Sequence, residues 1–202
     1  MGTIKTTNIE TITGSGTLTL GQSGETVSIP TNTTLGASGT TITVPSGATL
    51  TVPSGGLSGQ NYPAFFAHLS SDQSVANQSA TKVQFDSELF DTDNCYDNTT
   101  NYRFTPNVAG KYLLTAGTTF SALNDQKQTI IYFYKNGTNV GFLRNINAKT
   151  TGNLSITYTI IVDANGTSDY FEVFAYQDNG NSRNLQGNSG SLNYFGAYRI
   201  GD

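Results

Sequence analysis

The hydrophobic residues of the first 56 positions come in alternating pairs separated by threonine, serine and glycine. The pairs are Leu18 with Leu20, Val27 with Ile29, Ile42 with Val44, and Leu50 with Val52. Alternation with a period of two predicts strands of about three to five residues with one apolar face. A proline directly follows three of the four pairs, and its missing N–H ends a strand there. The motif TITVPSG at 41–47 returns as TLTVPSG at 49–55, so the segment contains a repeat.

One such strand is too small to fold alone. Burial of its two apolar side chains contributes about 3–6 kcal/mol, whereas ordering each backbone residue costs about 1–2 kcal/mol. Repeats with one apolar face become stable when several chains supply the missing walls. We therefore predict a shaft of three intertwined chains, with a core formed by Val27, Ile29, Ile42, Val44, Leu50 and Val52. The alternative is a disordered linker, which composition alone does not separate from a shaft.

A change in composition divides the chain, because the residues after the glycine-rich stretch GGLSGQ at 55–60 are much richer in aromatics. We predict an anchoring segment over residues 1–20, the shaft over 21–56, a hinge over 57–62 and a head domain over 63–202. The anchoring segment is expected to dock onto another protein. The fold class is all-β throughout, since no window shows helical periodicity.

The head shows short strand patterns separated by turn residues. The candidates are 64–69, 82–85, 102–105, 111–120, 129–135, 139–144, 154–162, 170–177 and 192–200. Asn136-Gly137 predicts a two-residue hairpin turn, which requires positive φ at both positions. Ile156, Tyr158, Ile160 and Val162 alternate on one face of a strand, as do Phe171, Val173 and Ala175. Nine or so antiparallel strands in this length predict a β-sandwich of the jelly-roll type.

Several motifs carry a family resemblance. They are Lys82-Val83-x-Phe85-Asp86, then Tyr96-Asp97, then Phe104-Thr105-Pro106-x-Val108-Ala109-Gly110-x-Tyr112, and the closing Tyr194-Phe195-Gly196-Ala197-Tyr198. Residues 63–202 resemble the globular head domain of the complement one-q family, within the tumour necrosis factor-like jelly-roll superfamily. The resemblance implies a homotrimer with neighbouring chain ends, as a three-chain shaft also requires. In such a head we expect Tyr112, Phe195 and Tyr198 to lie in the buried seam between protomers.

The charge and the composition of the chain limit the classes of function that it can have. Only 12% of the 202 residues are charged, against roughly 25% in average globular proteins, and a surface of hydroxyls and amides is typical of an extracellular or virion protein. The net charge of −4 disfavours nucleic-acid binding. No apolar run is long enough to span a bilayer, so we expect no membrane insertion. The N-terminus has no apolar core of a secretory signal.

Candidate chemistry is sparse. His68 is the single histidine and Cys95 the single cysteine, so a catalytic triad would have to use His68, and we expect no enzyme activity. The acidic residues from Asp86 to Asp97 could place oxygens around Ca²⁺, with Asp86, Asp91 and Asp93 as the candidates. A solvated loop is the favoured interpretation of this cluster, and no cofactor is expected. Tyr62, Tyr96 and Tyr102 are candidates for stacking on sugars, although packing is the commoner fate of a tyrosine.

These features favour a non-enzymatic homotrimer displayed on a virion surface. Animal members of the resembled family carry a secretory signal and often a collagen stalk, whereas a β-repeat shaft under a trimeric jelly roll resembles bacteriophage fibres and spikes. The first hypothesis is a short capsid or tail fibre that attaches to a host-surface glycan or protein through its head. The second is a decoration protein that stabilises the capsid at threefold sites. The third is a secreted ligand of the complement one-q type.

Overall fold

The computed structural model describes residues 63–147, 151–187 and 192–201, together with the isolated positions Ser46 and Thr49. The chain divides into two compact units, Met1–Leu57 and Ser58–Asp202. The predicted anchoring segment, the hinge with Tyr62, and the six shaft core residues lie outside the described residues, and they stay predictions. Every strand with described bounds belongs to the head.

All regular elements in the described part of the head are β-strands. They are β1 (Ala64–His68), β2 (Gln73–Val75), β3 (Thr81–Lys82), β4 (Ser87–Asp91), β5 (Tyr96–Asp97), β6 (Arg103–Phe104), β7 (Ala109–Leu123), β8 (Gln128–Lys135), β9 (Thr138–Ile146), β10 (Gly152–Asn165), β11 (Phe171–Gln177), β12 (Arg183–Leu185) and β13 (Tyr194–Gly201). No helix among the described residues is long and apolar enough to cross a membrane.

The strands form two antiparallel sheets. In the first sheet the order is β4, β1, β13, β7, β10, and the short β12 and β2 continue it beside the end of β7. In the second sheet the order is β5, β6, β11, β8, β9, and β3 also pairs with β11. Strand β1 pairs with β13, so Ala64 lies opposite Tyr198 and the two ends of the head are neighbours. The predicted β-sandwich is confirmed.

The predicted hairpin turn is confirmed as well. Strand β8 ends at Lys135 and β9 begins at Thr138. The two residues between them, Asn136 and Gly137, have φ values of 52° and 76°. Positive φ at both positions is the geometry of a type I′ turn, which matches the twist of the flanking strands.

The core lies between the two sheets and is rich in aromatic rings. Phe195 on β13 is fully buried, with its ring 4.8 Å from that of Phe65 and 5.9 Å from that of Phe133. The ring of Phe65 in turn stacks at 4.4 Å on Tyr96. The predicted inward face of β11 is confirmed, because Phe171, Val173 and Ala175 have no exposed surface. Each such ring removes a large apolar area from water, which is the main favourable term for a sandwich of short strands.

One prediction about the acidic region was wrong. The run Ser87–Asp91, interpreted as solvated loop, forms β4 at the edge of the first sheet. The register with β1 shifts here, because Phe66 pairs with Phe90 and Ala67 with Glu88, which leaves Leu89 as the extra residue of a bulge. Leu89 and Phe90 are therefore both exposed, while Glu88 and Asp91 are partly covered. The strands β2, β5 and β12 were also missed, because two or three residues are too few to show a period.

Candidate functional site

An apolar stripe crosses the face of the first sheet that points away from the core. It consists of Phe66, Phe90, Leu113, Ile161 and Tyr198, which we call the stripe. Phe66 pairs with Phe90, and Leu113 pairs with Tyr198 on one side and Ile161 on the other, so the residues continue from strand to strand. Phe90 and Tyr198 are each 52% exposed, and Ile161 is 61% exposed. A contiguous apolar surface of this kind marks a contact site on a folded protein.

Two glycines shape this surface. A Cβ atom on Gly196 would lie 3.0 Å from Cδ2 of Phe66, and one on Gly117 would lie 2.5 Å from Cε1 of Tyr194. The aromatic rings therefore lie flat over strands that have no side chain at these positions, and Phe66 and Tyr194 stack at 5.3 Å. Beside the stack an apolar groove of about 190 Å³ opens. Its lining consists of four stripe residues and four neighbours, namely Phe66, Phe90, Leu113 and Tyr198 with Phe65, Thr115, Gly196 and Ala197.

A second apolar surface lies on β9, the edge strand of the second sheet. Val140, Phe142, Leu143 and Ile146 are all exposed, and Phe142 is the most exposed of them at 57%. We call these four residues the edge patch. An exposed apolar edge strand invites pairing or aggregation unless another surface covers it.

The three predicted seam residues occupy different environments. Tyr112 and Phe195 point into the core and have no exposed surface. The hydroxyl of Tyr112 donates to the carbonyl of Val108 at 2.7 Å, and burial raises the pKa of this phenol to about 12. A side chain with no exposed surface has no area to bury against another protomer. Tyr198 alone of the three lies on the stripe.

Two of the three carboxylates considered for calcium, those of Asp86 and Asp91, hold separate parts of the backbone, whereas Oδ2 of Asp93 is buried with no hydrogen-bond partner among the described residues. Asp86 accepts hydrogen bonds from the N–H and Oγ of Ser70 at 2.8 and 2.6 Å. Asp91 accepts from the N–H groups of Asp93 and Tyr96. Across residues 63–147, 151–187 and 192–201, no three His, Cys, Asp or Glu side chains come together as metal ligands. The calcium hypothesis therefore has no ligand set in this part of the chain.

The two residues with catalytic potential are both buried. His68 is 8% exposed, and its Nδ1 atom has no hydrogen-bond partner among the described residues. Burial raises the pKa of the Cys95 thiol above its ordinary value, which opposes formation of the reactive thiolate. Neither side chain is placed as a nucleophile or base at the surface.

The sequence prediction missed four stripe residues, yet a signal for them exists. Phe65-Phe66, Leu113-Leu114 and Ile160-Ile161 are doublets of large apolar residues within alternating strands. Neighbouring residues of a strand point to opposite faces, so a doublet places one side chain in the core and the other on the outer face. Three doublets on three strands of one sheet indicate that its outer face is also to be covered.

Comparison with solved structures shows the fold of the head. The chain is similar to murine APRIL at pH 8.0, with a TM-score of 0.51 and 11% sequence identity over 69% of this chain and 100% of that chain. The structure of murine APRIL at pH 8.5 aligns with a TM-score of 0.50, 10% identity and the same coverage. No protein-family model and no curated protein sequence matches this chain. The predicted jelly-roll head is thus confirmed as a fold.

Proposed function

We propose that this protein is a non-enzymatic homotrimer on a virion surface, a short fibre or spike whose jelly-roll head attaches to the host. The observation that carries the assembly is the stripe, an apolar surface on the outer face of the first sheet with Phe90 and Tyr198 half-exposed. Burying such a surface against other protomers gains about 25 cal/mol for each Å² removed from water. The virion context is supported by the repeated strand-like motifs in the sequence of the N-terminal segment and by the low charge of that segment.

The two apolar surfaces favour a ring of heads over a twofold dimer. A twofold contact uses the same patch on both partners, whereas a contact between unlike patches closes into a ring when the rotation allows. Here the stripe lies on a sheet face and the edge patch lies on the edge strand β9 of the other sheet. In the proposed trimer the edge patch of one head packs on the stripe of the next, and three such contacts close the ring.

The shaft would hold the same three chains together by a second, independent core. Replacing Val44 and Val52 with aspartate is expected to weaken the trimer and lower its melting temperature, because a buried unpaired carboxylate costs several kcal/mol. Sedimentation and thermal melting of the full-length variant measure both effects. Thr41→Asp with Thr49→Asp is the matched control, since these residues flank the apolar pairs on the polar side of the alternation. Unchanged mass and melting in the valine variant would contradict the shaft.

The virion role is tested by immunogold labelling of intact particles from the source lysate, with antibody raised against residues 63–202. Gold confined to the tail is expected of a receptor-binding fibre, and gold over the icosahedral shell is expected of a head fibre or capsid decoration. The capsid-decoration hypothesis differs in its partner, because its N-terminal segment would clamp the shell and the head would only project. Absence of gold from all particles would overturn the virion role and favour the secreted ligand.

A further inference from the structure

A polar cavity of about 110 Å³ lies on the head, apart from the groove beside the stripe. It is lined by Leu69, Ser71, Asp72, Gln73, Gln84, Asp86 and Tyr102. These residues come from three separate segments: the connection between β1 and β2 with the first residue of β2, the connection between β3 and β4, and the residue that precedes β6. The volume exceeds what a single ordered water requires, and the lining is a mixture of carboxylates, amides, a hydroxyl and one aromatic ring.

The acidic and amide walls of the cavity are fixed by hydrogen bonds to the backbone. Asp72 accepts from the N–H of Gly187 at 2.8 Å, and Asp86 is held by both donors of Ser70. Gln73 joins β2 to β3 and the connection that follows it, because its Oε1 accepts from the N–H of Gln84 and its Nε2 donates to the carbonyl of Lys82. A Cβ atom at Gly187 would overlap the backbone of Ser71, so this wall is also closely packed. Fixed polar groups lose little entropy when a ligand binds.

The aromatic wall is held in an unusual backbone conformation. Tyr102 has a φ of 50°, which is rare for a bulky side chain and costs free energy unless the surroundings impose it. The preceding loop supplies that constraint. The carboxylate of Asp97 accepts from the N–H groups of Thr99, Thr100 and Asn101, and these bonds, that from Thr100 foremost, hold its pKa well below the usual range. The strain thus presents the ring of Tyr102 to the cavity.

The remaining polar groups are available to a ligand. The side-chain amide of Gln84 and the hydroxyls of Ser71 and Tyr102 have no hydrogen-bond partner within the described ranges. Partial burial raises the pKa of Asp86, but the bonds from Ser70 outweigh it and the net shift is downward, so this carboxylate is an ionised acceptor at neutral pH. The cavity therefore offers fixed acceptors, unpaired donors and an aromatic ring on the walls of one small space.

We propose that this cavity binds one neutral saccharide unit, with Asp72 and Asp86 accepting from its hydroxyls, Gln84 donating to a ring or hydroxyl oxygen, and Tyr102 packing on its C–H face. The inference rests on the proposed function, because it names the class of host ligand that the head would engage. Two carboxylates on the wall repel sialic acid and other anionic sugars, so the ligand is a neutral hexose or N-acetylhexosamine. We expect a single saccharide unit to bind this open cavity with a Kd of about 1 mM. The three heads of one trimer would bind a surface that carries many such units more tightly, by avidity.

The test applies the full-length protein to an array of neutral and sialylated oligosaccharides and measures each hit by saturation-transfer difference NMR. We expect neutral sugars to bind, and Tyr102→Ala and Gln84→Ala each to weaken binding at least tenfold. Gln126→Ala is the matched control, since Gln126 is an exposed glutamine in the turn between β7 and β8. Gln84 is exposed as well, so its variant keeps the fold, and equal melting temperatures of the two glutamine variants check this.

Three results would overturn the saccharide site. They are no neutral sugar bound by the wild-type protein, binding that survives both cavity variants, and binding of calcium chloride alone that Asp72→Asn abolishes while no sugar binds. None of these results affects the mass of the trimer or the labelling of particles. Failure of the saccharide site is therefore distinguishable from failure of the proposed assembly and virion role.

Discussion

Replacing Phe195 with alanine is expected to lower the free energy of unfolding of the head by about 3–5 kcal/mol, the range for a fully buried phenylalanine. The ring of Phe195 has no exposed surface and lies between both sheets. Its centroid is 4.8 Å from the ring of Phe65, and 5.9 to 6.1 Å from the rings of Phe133, Tyr96 and Phe85. These neighbours come from four other segments, so the cavity left by the ring cannot close by a local shift.

Guanidinium unfolding of the full-length protein at one fixed protomer concentration measures this effect, because the stability of an oligomer depends on concentration. Phe174→Ala is the matched control, since Phe174 is half-buried on the outer face of the second sheet and its ring lies 4.4 Å from that of Tyr134, tilted by 38°. We expect the control to cost about 1 kcal/mol, the worth of one aromatic pair. A loss at Phe195 no larger than that at Phe174 would contradict the assignment of Phe195 to the central core.

The fold of the head could be predicted because its long strands follow simple rules. In β11 the apolar residues Phe171, Val173 and Ala175 occupy alternate positions and are buried, and the turn Asn136-Gly137 has a backbone that few other residue pairs adopt. The edge strand β4 could not be predicted, because an edge strand is hydrogen-bonded on one side only and its composition need not alternate. Hydrophobic periodicity and turn residues therefore predict the central strands of the sandwich better than its edge strands.

The candidate site was harder to predict than the fold. Whether a side chain points to the core or to the outer face depends on its exact position in the strand. Tyr112 points into the core while Leu113 lies on the stripe, and Phe195 points inward while Tyr198 points outward. A family resemblance identifies aromatic residues but does not say which of them face the core. A shift of one residue along a strand moves a side chain from the core face to the outer face. The doublets carry that information, because one member of each must leave the core.

The polar cavity could not be predicted as a unit. Its walls are far apart in the sequence and meet through hydrogen bonds such as that from the N–H of Gln84 to Gln73. Tyr102 could be named as a candidate from its residue type, but its positive φ follows from the loop that Asp97 organises. A binding site built from loops depends on contacts between distant segments. Such contacts leave no periodic pattern in the sequence, so the sequence does not predict them.

Introducing aspartate at Tyr198 should dissociate the heads from one another. Tyr198 is 52% exposed on the stripe and pairs with Leu113 across the sheet, so its side chain lies outside the protomer core. In the proposed trimer a carboxylate at this position loses water without gaining a partner, which costs several kcal/mol at each contact. A cost of about 4 kcal/mol corresponds to a roughly thousand-fold weaker contact.

In the full-length protein the shaft would keep three chains together after the heads separate. Testing the head contact therefore requires a comparison of four proteins. The four proteins are the wild type, Tyr198→Asp, Val44→Asp with Val52→Asp, and the combination. Sedimentation should find trimers in the first, weakened trimers in the second and third, and monomers in the combination at micromolar concentration. Ser182→Asp adds the same charge at an exposed residue before β12 and should leave the mass unchanged.

The far-ultraviolet circular dichroism of the combined variant should keep the signal of the sandwich, since neither change touches the described core. A combined variant that remains trimeric would contradict both proposed contacts at once. A shaft variant that is already monomeric, with an intact head, would mean that the stripe alone does not hold the protomers together. The stripe and the proposed shaft core are separate apolar surfaces. Only the variant that disrupts both distinguishes a trimer stabilised by two contacts from a trimer stabilised by one.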